Sequence, residues 1–229
     1  WLITRSHAFA GNRLRLGWAV IGPLLALGYY KYAGFVFDDI FGIERAGIAP
    51  ETFSLFRNVV LPAGISFFTF QMIAFAIDRY RGEIAEMPSL QKLALYVSFF
   101  PQLVAGPILR FHDVAERLMT LTTYRPRHED LATGLCYVVF GLAAKVLLAD
   151  NLNYYLSPLI GGDINLAVCD AMYVVLAYSF QIYFDFYGYS LIAIGLGRVF
   201  GFRFPDNFLR PYESLNIRDF WRRWHRTLS

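Results

Sequence analysis

The stretch AMYVVLAYSFQIYFDFYGYSLIAIGLG, residues 171–197, carries a single charge, Asp185. It exceeds the roughly 20 apolar residues that a helix needs to cross a bilayer. Outward from it lie further apolar stretches: Leu16 to Phe37, Val59 to Ile77, Leu93 to Leu109 and Leu131 to Ala149. Lys31 falls near the end of the first, where its ammonium can snorkel to the interface. Lys145 is the one charge inside the last. The composition agrees: of 229 residues 56% are hydrophobic and 17% charged, with a mean hydropathy of +0.40. Soluble domains carry about 25% charged residues. Disorder, a collagen-like chain and a charged coiled coil are excluded. The net charge of +3 is small, and the basic residues form no phosphate-tracking stripe outside the C-terminal segment. Nucleic acid is therefore not an expected partner.

These features predict an all-α fold: a polytopic transmembrane helical bundle forming a single membrane domain over residues 1–229. The chain opens at Trp1 without a cleavable signal and stops at Ser229 within a patterned segment. The expectation is an N- and C-terminally truncated part of a longer protein. Cys136 and Cys169 lie in or beside apolar runs and predict buried, inert thiols.

Residues 93–109 read LALYVSFFPQLVAGPIL, with Pro101 and the pair Gly106-Pro107 inside the run. Proline removes a backbone donor and clashes with the preceding turn. Either a kinked spanning helix or a broken, re-entrant element lining a cavity follows, since irregular backbone at membrane depth must be shielded from lipid. The distribution of Lys and Arg between the apolar stretches favours re-entry. That arrangement places nearly all loop cations, and both the N-terminus and the C-terminal basic stretch, on the cytoplasmic side.

An intramembrane carboxylate is a functional candidate by default. Tyr178, Gln181, Asp185 and Tyr189 share one helical face and make a polar stripe on segment 171–197. Asp185 either lines a hydrated tunnel or locks helices together, and Lys145 invites pairing with a carboxylate. Further on, SLNIRDFWRRWHRTLS at 214–229 puts Ile217, Phe220, Trp221, Trp224 and Leu228 at helical spacing, with arginines opposite. An amphipathic interfacial helix is expected there, capped by Asn216 with Asp219. His225 sits at the edge of its apolar arc, where an imidazole that titrates near neutrality can serve acid–base work or only packing. His7, His112 and His128 lack metal-ligand spacing, so no metal is expected. There is no G-x-S-x-G elbow, P-loop or dinucleotide fingerprint.

LPAGISFFTFQ at 61–71, FFPQLVAGPILR at 99–110 and KVLLADNL at 145–152 resemble successive motifs of the membrane-bound O-acyltransferases. QIYFDFYGYSLIAIGLGRVFGFRFPDNFLRPY at 181–212 and DFWRRWHRTLS at 219–229 continue the series in order. The wording Gln-Leu-Val-Ala-Gly at 102–106 is similar to the bacterial alginate O-acetylation branch. Tyr187 stands where the family more often has Ser.

The resemblance implies a multi-pass protein of the bacterial inner membrane with a central tunnel. It implies transfer of an acyl group, acetyl in the alginate branch, from a cytoplasmic thioester donor to an extracytoplasmic polysaccharide hydroxyl. It implies acetyl-CoA or another acyl thioester as donor, no bound cofactor, and periplasmic polysaccharide-acetylation proteins as partners. His225 matches the first of two family histidines. The second, usually taken as the principal catalytic residue, belongs to a W-H-G motif outside these 229 residues, so the fragment is expected to be inactive alone. Asp185 is a candidate tunnel residue, and Tyr178, Gln181, Tyr189, Trp221 and Trp224 are candidate substrate contacts. The irregular part of segment 93–109 is a candidate source of oxyanion donors. Two alternatives stand beside this: D-alanyl transfer to teichoic acid, as in the sister branch, or a non-enzymatic membrane transporter with broken helices.

Overall fold

The computed structural model describes residues 4, 11–40, 61–84, 86–103, 106–120, 123–161 and 167–228. His7, the first residues of segment 59–77, and Val104 with Ala105 of segment 93–109 lie outside them. Among the described residues all regular structure is helical. The chain falls into two compact units, Trp1–Phe99 with Arg110–Leu118, and Phe100–Leu109 with Met119–Ser229.

In the first unit, α1 spans Arg13–Leu27, and the Asn12 side chain accepts from the Arg15 N–H at its start. The helical path continues to Ile40 through π turns at Gly28–Tyr32 and Phe35–Ile40. α2, Ile65–Arg81, runs between Gly64 (φ 74°) and Gly82 (φ 80°), left-handed positions that suit glycine at each end. Lys31 Nζ donates to Ser66 Oγ at 3.1 Å, joining the two helices. α3, Leu90–Ser98, is capped by Ser89 and buries Tyr96. The ring of Phe111, on α5 (Phe111–Thr120), meets Tyr96 and Phe75 edge-on, and this trio anchors the unit's core.

Segment 93–109 is not one helix. α3 stops at Ser98, Phe99 is extended, and a short α4 covers Phe100–Leu103. Residues 106–110 have no regular structure. Pro101 and Pro107 account for both interruptions, since neither can donate to the turn before it.

The second unit is built on two long helices. α6, His128–Leu142, passes through a π stretch, Ala143–Ala149, into α7, Asp150–Gly161. This continuous rod is the one helix among the described residues that is long and apolar enough to cross a membrane, with a mean hydropathy of 2.0. α8, Val168–Val199, is 32 residues long, but its tyrosines, Gln181 and Asp185 dilute its hydropathy. α2, at 17 residues, reaches about 26 Å at 1.5 Å per residue, short of the roughly 30 Å hydrocarbon core.

α6 and α8 touch backbone to backbone. A Cβ on Gly134 would lie 2.7 Å from the Gly195 carbonyl oxygen, and one on Gly141 would lie 2.6 Å from that of Gly188. The reciprocal distances are 2.5 and 2.7 Å. The pairing order, 134 with 195 and 141 with 188, makes the helices antiparallel. Small residues that let backbones approach are the usual device for helix association in lipid. Large apolar side chains on the outer faces remain exposed, among them Leu147, Tyr154, Tyr173 and Val175. A water-soluble monomer rarely leaves so much apolar surface open.

Two expectations are corrected. The C-terminal helix, α9, covers only Ile217–Arg223, so Trp224, His225 and Leu228 are not on it. Asn216 does cap it, accepting from the Asp219 N–H at 2.9 Å. The helix stops because hydrogen bonds to a distant loop claim the backbone beyond Arg223. Both cysteines are exposed rather than buried, because an apolar run faces outward here as well as inward.

The glycine contacts yield a prediction. Gly195→Val should lower the detergent thermal midpoint of the full-length protein, at a cost of about 1–3 kcal/mol from overpacking. Gly17→Ala should be tolerated, since nothing lies within 4 Å of the added methyl. Equal midpoints for wild type and Gly195→Val would remove the backbone contact from the account of stability.

Candidate functional site

After α8 the chain reverses and packs back on it. The turn uses Gly201 (φ 78°), whose N–H donates to the Arg198 carbonyl at 2.8 Å. The Phe204 ring fills the space that a Cβ at Gly197 would need. Phe208 then meets Tyr183 and Phe186 of α8 edge-on at 5.7 and 5.1 Å. Arg210 turns the chain through a left-handed residue (φ 44°) into a short 3-10 turn, Pro211–Glu213. The Tyr212 hydroxyl donates to the Ser179 carbonyl at 2.8 Å, fixing this turn on α8. On α9, Asp219 pairs with Arg223 at 3.0 Å, and that guanidinium holds the carboxyl below its ordinary value. Phe220 stacks on Trp224 at 5.6 Å, and Trp224 stands edge-on to Phe208 at 5.1 Å.

His225 follows in the left-handed region, φ 44°. L-residues rarely adopt it, so flanking bonds must hold it there. They centre on Asn207, which is 1% exposed. The Arg226 N–H donates to the Asn207 carbonyl at 2.9 Å, and the Leu209 N–H to the Arg223 carbonyl at 3.0 Å. The Thr227 hydroxyl donates to Asn207 Oδ1 at 2.6 Å and accepts from the Ile108 N–H at 3.0 Å. The irregular segment after Pro107 is thereby tied to the residues around His225. It also means that the Ile108 N–H is engaged and is not a spare oxyanion donor.

Clamped in this way, the His225 ring stands edge-on to Phe186 with centroids 4.7 Å apart. With Trp221, Trp224 and Leu228 it lines an open hollow of about 480 Å³. Half-burial pushes its pKa below the ordinary histidine value, so the neutral imidazole dominates at pH 7.

The other candidates gather elsewhere on α8. Asp185 Oδ1 lies 2.9 Å from Lys145 Nζ, which also bonds Asp150. The Tyr189 ring lies 5.6 Å from the same ammonium. The expected carboxylate partner of Lys145 is thus two carboxylates. Tyr178 is exposed and Gln181 half-buried, earlier on α8. The structure therefore brings Trp221, Trp224 and His225 around one hollow, and Asp185 with Tyr189 around Lys145. In the first unit, Asp78, Glu83 and His112 converge, but Arg110 lies 3.9 Å from both carboxylates and balances them.

Sequence reasoning missed Phe186, Phe208, Asn207 and Thr227. None has a spacing signal, because each is recruited across the fold. The glycine seam had one: Gly134 with Gly141, and Gly188 with Gly195, each repeat at seven residues.

Comparison with known proteins gives the chain's relatives. The family model described as MBOAT, membrane-bound O-acyltransferase family, matches residues 80–229. A Pseudomonas aeruginosa protein named probable alginate O-acetylase AlgI is 40% identical over all of this chain and 44% of its own length. The peptidoglycan O-acetyltransferase of Helicobacter pylori is 35% identical over 97% of this chain and 46% of its own. The teichoic acid D-alanyltransferase of Bacillus subtilis is 29% identical, over 90% and 56%. The chain spans about half or less of the length of the first two of these relatives.

The burial of His225 makes a pH prediction. Its folded pKa is depressed, so the unfolded chain binds the proton more readily. The neutral ring therefore contributes stability that is full above about pH 6.5 and is lost as pH falls toward the lower folded value. Tryptophan fluorescence of Trp221 and Trp224 should report this loosening, and His225→Gln should flatten it. A histidine titrating at or above its ordinary value would contradict the burial argument.

Proposed function

The chain belongs to the membrane-bound O-acyltransferase family, and on that premise we propose how the whole protein uses this site. It carries an acyl group, acetyl in the first instance, from a thioester donor such as acetyl-CoA on the cytoplasmic side. The acceptor is a polysaccharide hydroxyl on the far side of a bacterial inner membrane, and periplasmic polysaccharide-acetylation proteins are the partners. Multi-pass topology, with residues 78–92 and 110–130 both cytoplasmic, belongs to the same reading.

The observation that carries it is the clamped, neutral His225 beside an apolar hollow walled by Trp221 and Trp224. Acyl transfer to an alcohol needs a base for the hydroxyl proton, and a neutral imidazole is suited to it. As the oxygen attacks, the new O–C bond forms and the C–S bond breaks. The proton passes through imidazole to the departing thiolate. The indole walls give the hollow an apolar lining, the kind of surface that limits hydrolysis of a thioester once the site is closed. The family's second histidine would share this work, with His225 supporting or positioning the reacting groups. Asp185 serves this reading through Lys145, by holding α8 in place.

Acetyl transfer is favoured over D-alanyl transfer because the acetyl-transferring relatives are the more similar, 40% and 35% against 29%. Alginate-like polysaccharide and peptidoglycan glycan both present free sugar hydroxyls, and either acceptor fits the chemistry.

His225→Ala in the full-length protein should lose acetyl transfer by roughly 10²-fold while the protein stays folded and inserted. The measurement is acetyl incorporation into polysaccharide by membranes bearing each form. A wild-type rate from the variant would take His225 out of the site.

Cysteines placed at Glu83 and Glu129 should both resist an impermeant thiol reagent in intact cells. Labelling from outside at position 83 alone would instead favour a spanning segment 93–109.

A further inference from the structure

Between α6, α8 and the returning chain lies a second cavity of about 260 Å³. Its lining includes Ser190, Asn207 and three tyrosines, Tyr137, Tyr183 and Tyr187. Ser190 is 2% exposed and Asn207 1%. Among the described residues the Ser190 Oγ and the Asn207 Nδ2 have no hydrogen-bond partner. A buried polar atom left unmet costs free energy, and native structures keep few of them. Two on the wall of one cavity point to something that fills it.

The direction of the neighbouring bonds says what kind of atom. The Ile108 N–H donates to Thr227 Oγ1, and that hydroxyl donates to Asn207 Oδ1. This chain turns the acceptor end of the Asn207 amide toward Thr227 and leaves its N–H donors for the cavity. The Ser190 hydroxyl adds another donor. Paired donors call for an acceptor oxygen. The carboxylate of Asp206, also in the lining, opposes an anion there. A neutral carbonyl meets both conditions.

A third cavity, about 250 Å³, shares Tyr137, Tyr187 and Leu191 with this one and is otherwise lined by Thr133, Cys136 and Phe140. A polar pocket adjoining an apolar one suits a slender chain with carbonyl groups along an aliphatic backbone. Phe208 walls the polar pocket and touches Phe186, which touches His225.

We propose that Ser190 and Asn207 form a carbonyl-binding subsite that grips the acyl thioester donor, at an amide carbonyl of its arm or at the acyl carbonyl itself. The proposal rests on the acyltransferase reading above. The cavity stands two aromatic rings from His225, which favours the arm amide. Asn207 then has two roles, with its acceptor side clamping the His225 turn and its donor side holding the substrate.

Ser190→Ala is the informative variant. It deletes an unmet buried hydroxyl, so a purely structural Ser190 predicts an unchanged or raised thermal midpoint and normal binding. The subsite instead predicts about 5-fold or greater loss of affinity for S-acetyl-pantetheine by the full-length protein, with the midpoint kept and Ser190→Thr restoring it. Pantetheine without the acetyl group separates the two sources. Weaker binding of both compounds assigns the arm amide, and weaker binding of S-acetyl-pantetheine alone assigns the acyl carbonyl. Wild-type affinity for both in Ser190→Ala and in Asn207→Asp would overturn the subsite and leave the cavity to ordered water. Failure of the acyltransferase reading looks different: the wild type would bind the thioester through Ser190 and transfer nothing.

Discussion

The contact of α6 with α8 through Gly134–Gly195 and Gly141–Gly188 is the constraint on which the second unit depends. Helices in lipid gain little from hiding apolar side chains from a solvent that is itself apolar, so close backbone packing must supply the association. Glycine at these positions lets the carbonyl of one helix occupy the place of the other's side chain. Ion pairs stand at both ends of the seam, Asp130 with Arg198 at 3.8 Å and Lys145 with Asp185 at 2.9 Å. Sliding or reversing one helix would separate both pairs, so the charges specify register while the glycines provide proximity.

With α8 held in this way, its turns present different faces to different neighbours. Gly188 and Asp185 face the rod of α6 and its π stretch. Tyr183, Phe186 and Tyr187 face the returning chain. The π stretch Ala143–Ala149 carries Lys145, and widened helical turns of this kind are frequent at functional positions. Lys145 answers two carboxylates there, and its pair with Asp185 joins the π stretch to α8.

The returning chain places His225 by hydrogen bonds rather than by helix geometry. Asn207 and Thr227 hold the residues on its C-terminal side, and Phe220 with Trp224 packs the approach. A left-handed histidine is tolerated because its neighbours over-determine it. The same clamp half-buries the imidazole, and that burial holds its pKa below the ordinary histidine value. Site geometry, backbone strain and protonation state therefore share one cause.

The amino-acid sequence determined on its own that this chain is helical, apolar and interrupted at Pro101 and Pro107, and that its motifs at 181–212 and 219–229 are those of an acyltransferase family. Those properties are local: they depend on hydropathy, on proline's missing donor and on residue order. The cap at Asn216 was legible for the same reason, and the heptad glycines were open to the same reading. Only the tertiary structure decided that α9 ends at Arg223, because the bonds that end it come from Asn207 and Leu209, outside the helix. Only it decided that Lys145 answers Asp150 as well as Asp185, and that Asn207 and Ser190 leave donors on one cavity wall. Residues far apart in the chain, with no periodicity to link them, become a site when two glycine contacts bring their helices together and one loop folds back.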